Sequence, residues 1–192
     1  MARTAAWPAA GDALLVVDVQ KDFLPGGALA VARAGEVVAP LNAAIRAFER
    51  AGRPVYASRD WHPANHCSFK ARGGPWPPHC VAGTLGAQFA DGLALPASTV
   101  VVSKADTADA DAYSAFGGND LAQRLRRQGV RRVVVGGLAT DYCVLNTVLD
   151  GRAAGFEVVV LADAIRAVNV QPGDGARALE AMRRAGAFLE AA

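Results

Sequence analysis

The sequence predicts an α/β protein in which a mainly parallel central sheet is flanked by helices, forming a three-layer sandwich. Several short runs are apolar almost without interruption, as expected for strands that are buried on both faces. These runs alternate with segments whose apolar residues recur at helical spacing, and such alternation favours a parallel sheet. The length of 192 residues suits a single domain, which we expect to span residues 1–192, with residues 1–11 as a loose N-terminal extension.

Five strands are predicted, each from a short apolar run. The first, ALLVVDV, is apolar throughout except for Asp18. The second and third are RPVYASRD and TVVVSKA. Each has a charged residue at or near its carboxyl end, Asp60 and Lys104 respectively. The fourth and fifth, RRVVVGG and EVVVLADA, each contain three successive valines, and β-branched residues of this kind are typical of strands.

Four helices are predicted between and after these strands. They lie in VVAPLNAAIRAFERAG, NDLAQRLRRQG, DYCVLNTVLDGRAAG and DGARALEAMRRAGAFL. Gly52 and Gly129 follow the first two, and glycine commonly ends a helix. Thr140 or Asp141 is a suitable N-cap for the third, because its side-chain oxygen can accept a hydrogen bond from a free backbone N–H group.

The composition excludes several classes of protein. Hydrophobic residues make up 52% of the chain and charged residues 20%, with a net charge of +2 and no basic block, so we expect neither a nucleic-acid nor a membrane partner. The N-terminus resembles neither a signal peptide nor a transmembrane span, and we expect a cytoplasmic protein. Three cysteines in a reducing compartment, without a repeating spacing, argue against a disulfide framework.

Chemically useful residues lie at or just beyond the ends of four predicted strands. Asp18 lies near the end of the first. Asp60 ends the second and His62 follows it. Lys104 lies near the end of the third, and Cys143 lies a turn beyond the fourth. Ligands bind at the carboxyl edge of an open parallel sheet, where such strand ends meet. The pattern therefore predicts one site that contains a nucleophile, a base, a cation and metal ligands.

Cys143 is the candidate nucleophile of this site. It lies at the predicted start of a helix, where partial positive charge lowers a thiol pKa and N–H groups can hold an oxyanion. Asp18 could accept the thiol proton, and Lys104 could keep that carboxylate charged. The alternatives are a buried apolar cysteine, a structural carboxylate at a strand end and a solvated lysine.

A metal site is predicted downstream of the second strand. Asp60 and His62 are two residues apart, so that their side chains point the same way in an extended chain, and His79 follows in PWPPHC. One Asp and two His suit Zn, Fe or Mn with positions left for water or substrate. His66 is a further candidate ligand. The alternative is a loop with hydrogen-bonded histidines; Cys67 and Cys80 are interpreted as structural.

Five segments resemble the nicotinamidases of the isochorismatase-like cysteine hydrolase superfamily. They are DVQKDFLPGGALAV, SRDWHPANHCSF, WPPHCVAGTLGA, KADTADADAYSAF and GLATDYCV, in the family's order. The resemblance implies an isochorismatase-like fold and hydrolysis of nicotinamide to nicotinate and ammonia through a cysteine thioester, with pyrazinamide as a further substrate and a role in NAD salvage. It also implies one divalent metal ion and leaves a homo-oligomer open.

The resemblance assigns roles to particular residues. It implies a catalytic triad of Asp18, Lys104 and Cys143, with the backbone N–H groups of Ala139 and Cys143 as the oxyanion hole and a cis peptide bond between Leu138 and Ala139. The implied metal ligands are Asp60, His62 and His79, and the implied substrate-binding aromatics are Phe23, Trp76 and Tyr113.

Two other functions are weighed against this one. The first is another amidohydrolase of the same superfamily that acts on a ureido or carbamoyl compound; such relatives do not usually have the Asp60–His62 and His79 metal segments. The second is a non-enzymatic metal-binding or scaffold protein, which requires Cys143 to be inert. Alkylation of the three cysteines by iodoacetamide separates these cases, since selective labelling of Cys143 near neutral pH indicates catalysis.

Overall fold

A six-stranded sheet forms the centre of the structure, a computed structural model that describes residues 6–192. The strands are β1 (Asp12–Val17), β2 (Val55–Asp60), β3 (Val100–Lys104), β4 (Arg132–Leu138), β5 (Glu157–Arg166) and β6 (Phe188–Glu190). Their order across the sheet is β3-β2-β1-β4-β5-β6, and every adjacent pair is parallel. The predicted fold class is confirmed, and the sheet is parallel throughout rather than mainly so.

Helices lie on both faces of the sheet. They are α1 (Val38–Arg50), α2 (Leu121–Arg127), α3 (Leu145–Ala153) and α4 (Asp174–Arg184), and a π-helical turn at Thr140–Val144 leads directly into α3. Alternate residues of β1 face opposite layers: Leu14 and Val16 pack in the α1 layer, while Leu15 and Val17 pack in the layer of the other three helices. This alternation separates two hydrophobic cores and gives the three-layer sandwich.

The last helix is shorter than the sequence predicts, because the chain turns at Gly186 and forms a sixth strand. Gly186 has φ +85°, a left-handed conformation that glycine adopts easily. Phe188 then pairs with Val159 of β5 at the edge of the sheet. The helical spacing of apolar residues continues into this segment, which explains why the sequence predicts helix there.

Of the predicted loose extension at residues 1–11, residues 1–5 lie outside the described part of the chain. The rest packs on both α1 and the sheet: the Trp7 ring stacks on Phe48 of α1 with centroids 6.0 Å apart, and Trp7 Nε1 donates to Glu190 of β6. Arg131 and Arg132 donate their backbone N–H groups to the Gly11 carbonyl. Within residues 6–192, no helix is both long and apolar enough to cross a membrane.

Replacement of Arg132 by Met should destabilise the protein. The guanidinium makes two hydrogen bonds to the Asp12 carboxylate, of 2.9 and 2.6 Å, and both residues are buried. Removal of one partner leaves a buried charge, so we expect R132M to lower the free energy of unfolding by roughly 3 kcal/mol in urea denaturation. The control is R131M at the exposed neighbour, and equal stability of the two variants would contradict the prediction.

Candidate active site

The carboxyl edge of β1, β2 and β3 brings three charged side chains together. Asp18 directly follows β1 in a left-handed conformation, with φ +49°, and is fully buried. Asp60 and Lys104 end β2 and β3, and they are paired residues in the register of the two strands. The parallel order of the strands therefore places two carboxylates and one ammonium at a single point.

Cys143 reaches the same point from β4. Gly137, near the end of that strand, approaches β1 so closely that a Cβ atom would collide with the Val17 carbonyl oxygen. The peptide bond between Leu138 and Ala139 is cis, in agreement with the resemblance, and the π-helical turn follows. Ala139 is the N-cap of this helical segment and Cys143 is its fourth residue, and N–H groups at the start of a helix lack carbonyl partners in a preceding turn.

The three residues of the predicted triad lie within contact of one another. Lys104 Nζ is 3.0 Å from Asp18 Oδ2 and donates to Cys143 Sγ at 3.5 Å. One carboxylate oxygen of Asp18 lies within 4.8 Å of the thiol sulfur. Sulfur, carboxylate and ammonium therefore meet in one buried cluster, as the strand ends predict.

The environment of Cys143 differs from the one expected at a helix start. Burial raises the pKa of the Cys143 thiol well above its usual value; Lys104 opposes this shift, while Asp18 and Asp60 add to it. The expectation of a lowered thiol pKa is therefore wrong for the protein at rest, because burial and two carboxylates outweigh the helix start and the ammonium. At neutral pH the thiol is protonated, and its reaction requires a base.

Asp18 can provide that base. Burial raises the pKa of its carboxyl, an effect that Lys104 partly opposes and Asp60 reinforces. Burial by itself disfavours the Lys104 ammonium, yet the two carboxylates raise the pKa of Lys104 well above its ordinary value. Lys104 therefore stays charged, and a raised proton affinity makes Asp18 a better acceptor for the thiol proton.

Asp60 belongs to two groups of residues at once. Its Oδ1 accepts a hydrogen bond from Lys104, and its Oδ2 lies 3.7 Å from His62 Nε2. The pKa of Asp60 is lowered despite its burial, because Lys104 and His62 favour the carboxylate. The ligand atoms of Asp60, His62 and His79 all lie within 4.8 Å of one another.

The donor chemistry of these three residues fits a divalent metal ion. His62 Nδ1 donates to the Ala105 carbonyl at 3.1 Å, and His79 Nδ1 donates to the Pro77 carbonyl at 2.8 Å. Each bond leaves the Nε2 lone pair free for a metal, and backbone carbonyls commonly orient ligating histidines in this way. Burial lowers the pKa of His79, which keeps its ring neutral and able to ligate.

His66 is bonded differently and is not part of the three-residue group. Its ring stacks on His62 with centroids 4.2 Å apart. Its Nε2 donates to the Ala110 carbonyl at 3.1 Å, and its Nδ1 lies 2.7 Å from Ser68 Oγ, from which it accepts. Since both ring nitrogens have partners, His66 supports the ligand loop rather than offering a free lone pair.

A small cavity of about 40 Å³ adjoins the thiol. The predicted aromatics Phe23, Trp76 and Tyr113 line it, and Trp76 Nε1 donates to Tyr113 Oη at 3.1 Å. Its other walls are Leu29, Val31, Asp60, His79, Ala139, Tyr142, Cys143 and Val168.

Several residues near the site are absent from the sequence-based prediction. Tyr142 packs against Trp76 and Tyr113, with ring centroids 5.1 and 5.4 Å apart. Ser58 donates to Asp18 Oδ1 at 2.7 Å. Gln20 bonds to both the N–H and the carbonyl of Asp60 at 2.8 Å. In the sequence, Tyr142 is marked only by its position beside Cys143, and Ser58 and Gln20 only as polar residues beside apolar runs.

Comparisons with known proteins agree with this arrangement. A nicotinamidase of Escherichia coli (strain K12) is 41% identical over an alignment of 198 residues. The match covers 92% of this chain and 93% of that protein. The crystal structure of a pyrazinamidase of Pyrococcus horikoshii in complex with zinc is 48% identical with a TM-score of 0.91, and the match covers 95% of this chain and 99% of that chain. The structure of PnC1 from L. infantum in complex with nicotinate is 40% identical with a TM-score of 0.85, covering 94% and 92% of the two chains.

The family model described as the isochorismatase domain matches residues 12–192, a range that includes all six strands and every residue of the candidate site. The matches to the nicotinamidase of Escherichia coli and to the pyrazinamidase of Pyrococcus horikoshii cover nearly the whole length of each compared chain, and they support assignment to this family. The chain belongs to the isochorismatase domain family.

Proposed function

We propose that this protein hydrolyses nicotinamide to nicotinate and ammonia, and that it also accepts pyrazinamide. The main observation is that the Cys143 thiol, the Asp18 carboxylate and the Lys104 ammonium meet beside an aromatic cavity whose wall includes the candidate ligands Asp60 and His79. A thiol with a base and a cation suits acyl transfer from an amide. The similarity to nicotinamidases and pyrazinamidases supports an aromatic carboxamide as the substrate.

In the first half of the proposed reaction, Asp18 takes the proton of the Cys143 thiol and the sulfur attacks the carboxamide carbon. The N–H groups of Ala139 and Cys143 hold the oxygen of the tetrahedral intermediate. Each such donor typically lowers the activation barrier by roughly 3 kcal/mol. Asp18 then gives its proton to the departing nitrogen, ammonia leaves, and a thioester to Cys143 is formed.

In the second half, Asp18 takes a proton from water and the resulting hydroxide attacks the thioester. The tetrahedral intermediate collapses to nicotinic acid and the Cys143 thiolate, which takes back the proton from Asp18; the acid then loses its proton to water and leaves as nicotinate. Lys104 stays protonated throughout and keeps the Asp18 carboxylate in place. The atoms of one water and one amide therefore balance those of one acid and one ammonia.

A divalent ion held by Asp60, His62 and His79, whether Zn, Fe or Mn, would orient the pyridine nitrogen directly or through bound water. Orientation of this kind fixes the amide over the sulfur and lowers the barrier. Phe23, Trp76 and Tyr113 would hold the ring faces and edges. The aromatic wall also supports nicotinamide over a ureido or carbamoyl substrate, which lacks a ring.

The direct test is ammonia release from nicotinamide by the purified protein, with and without a chelator. We expect release that falls after chelation and returns when Zn, Fe or Mn is added. Release from a ureido or carbamoyl compound without release from nicotinamide would favour the other amidohydrolase. Failure with all amides, together with equal alkylation of the three cysteines, would favour a scaffold.

Replacement of His79 by Ala should lower both the metal content and the nicotinamidase activity of the protein. We expect H79A to bind less metal and to show both a higher KM and a lower kcat for nicotinamide, because the ion would hold the pyridine nitrogen and orient the amide over the sulfur. Metal analysis by mass spectrometry and steady-state kinetics measure both effects. H66Q is the matched control, since His66 uses both ring nitrogens in hydrogen bonds, and metal loss equal to that of H79A would show His66 to be a ligand.

A further inference from the structure

Ser58 lies in the interior of β2 and contacts Asp18 twice. The Asp18 N–H group donates to the Ser58 carbonyl at 3.1 Å, and Ser58 Oγ donates to Asp18 Oδ1 at 2.7 Å. Both residues are fully buried. One serine therefore contacts both the backbone and the carboxylate of the same aspartate.

The two oxygens of Asp18 have different neighbours. Oδ1 accepts from the Ser58 hydroxyl, while Oδ2 lies 3.0 Å from the Lys104 ammonium. Within residues 6–192, Oδ2 has no hydrogen-bond partner, so the Ser58 hydroxyl supplies the directional contact, and rotation of the carboxylate about its terminal bond would break that hydrogen bond. The Ser58 hydrogen bond, together with the charge of Lys104, therefore sets the plane of the carboxylate with respect to the Cys143 sulfur.

The position of Ser58 in the strand also indicates a specific role for its hydroxyl. The preceding residues of β2, Val55, Tyr56 and Ala57, are buried, and Ala57 lies in a hydrophobic core. A fully buried hydroxyl is costly without a partner, and alanine would be buried there without that cost. Ser58 does not line the cavity beside Cys143, so direct contact with substrate does not explain it.

We infer that Ser58 is a positioning residue for the general base: its hydroxyl holds Asp18 in the orientation that allows proton transfer from Cys143. The inference rests on the proposed function of Asp18 and deepens it. Ser58 touches neither the substrate nor the sulfur, and it acts only through Asp18. Loss of the hydroxyl should therefore slow the chemical steps without weakening substrate binding.

The experiment compares Ser58→Ala, Ser58→Thr and Ser58→Val with the wild-type enzyme. Thr and Val have nearly the same shape, so that this pair isolates the hydroxyl from any effect of packing. We expect kcat to fall between about tenfold and a hundredfold in S58A and S58V, with KM within about twofold of wild type. S58T should recover most of the lost kcat.

Thr147→Val is the control for loss of a buried hydroxyl elsewhere. Thr147 is buried on α3, where its Oγ1 accepts from the Ala115 N–H at 2.9 Å, outside the residues that line the cavity. We expect T147V to lower the melting temperature about as much as S58A while its kcat stays at the wild-type level. A purely structural role of Ser58 would instead give the two variants the same kcat.

A crystal structure of S58A tests the inference without any substrate. We expect the Asp18 carboxylate to rotate away from its wild-type plane. An unmoved carboxylate, a kcat within about twofold of wild type, or an S58T variant that folds but is as slow as S58V would each overturn the inference. If the wild-type enzyme releases no ammonia from nicotinamide, the proposed function fails, and the Asp18 orientation in the crystal structures alone decides the role of Ser58.

Discussion

Cys143→Ala is expected to abolish nicotinamide turnover while leaving the metal content of the protein unchanged. The sulfur is the only protein atom proposed to form a bond with the carboxamide carbon, so its removal leaves the protein only binding and orientation. We expect kcat to fall by at least about 10⁴-fold, since loss of a nucleophile removes nearly all of the rate enhancement of a covalent mechanism. Cys143 lies outside the Asp60, His62 and His79 group, so that metal binding should be unaffected.

The matched control for this variant is Cys67→Ala. Cys67 is a free cysteine that is partly exposed and does not line the cavity. Ammonia release by C67A should equal that of the wild type. Iodoacetamide should still label Cys143 in C67A, whereas C143A should lose that labelled site. Full turnover by C143A would exclude the thioester mechanism, whatever the metal content.

Asp18→Asn is expected to have the second-largest effect. The amide has nearly the shape of the carboxylate but cannot accept the thiol proton, and we expect kcat to fall by roughly 10³-fold to 10⁴-fold. Alkylation of Cys143 should slow as well, because burial raises its pKa and the remaining thiol has no base. The control is Asp91→Asn at an exposed carboxylate that pairs with Lys21, and wild-type rates in D18N would contradict the assignment.

The role of Asp18 also predicts the pH dependence of the reaction. A base acts only when it is unprotonated, so kcat/KM should fall as the pH falls through the pKa of Asp18 in the folded protein. Burial raises that pKa above the ordinary value of an aspartate, and the loss should therefore occur at a higher pH than for an exposed carboxylate. The residual activity of D18N should lack this acidic limb, and an unchanged profile would assign the limb to another group.

Much of the site follows from the sequence because the fold is a parallel sheet. Parallel strands place their carboxyl ends at one edge, so that the charged residues at the ends of β1, β2 and β3 lie along the same edge whatever the strand order. The apolar runs identify the strands, and the residues that follow them identify the site. For this reason Asp18, Lys104 and Cys143 could be grouped without coordinates.

Other features depend on which strands are neighbours. Asp60 is predicted only as a metal ligand, yet it also pairs with Lys104, because β2 and β3 are adjacent and these two residues share one register position. Local sequence contains no information about that pairing. The hydrogen bond from Ser58 to Asp18 likewise requires β1 and β2 to be adjacent.

The sequence by itself determines the layer architecture, the strand ends and the types of chemical group at the site, because apolar periodicity and residue identity are local properties. The tertiary structure alone decides the protonation states and the orientations of those groups. Burial reverses the expected shift of the Cys143 pKa, and backbone carbonyls from distant segments set which ring nitrogen of His62 and of His66 carries the proton. Both effects come from atoms that are far apart in the chain and meet only when the sheet forms.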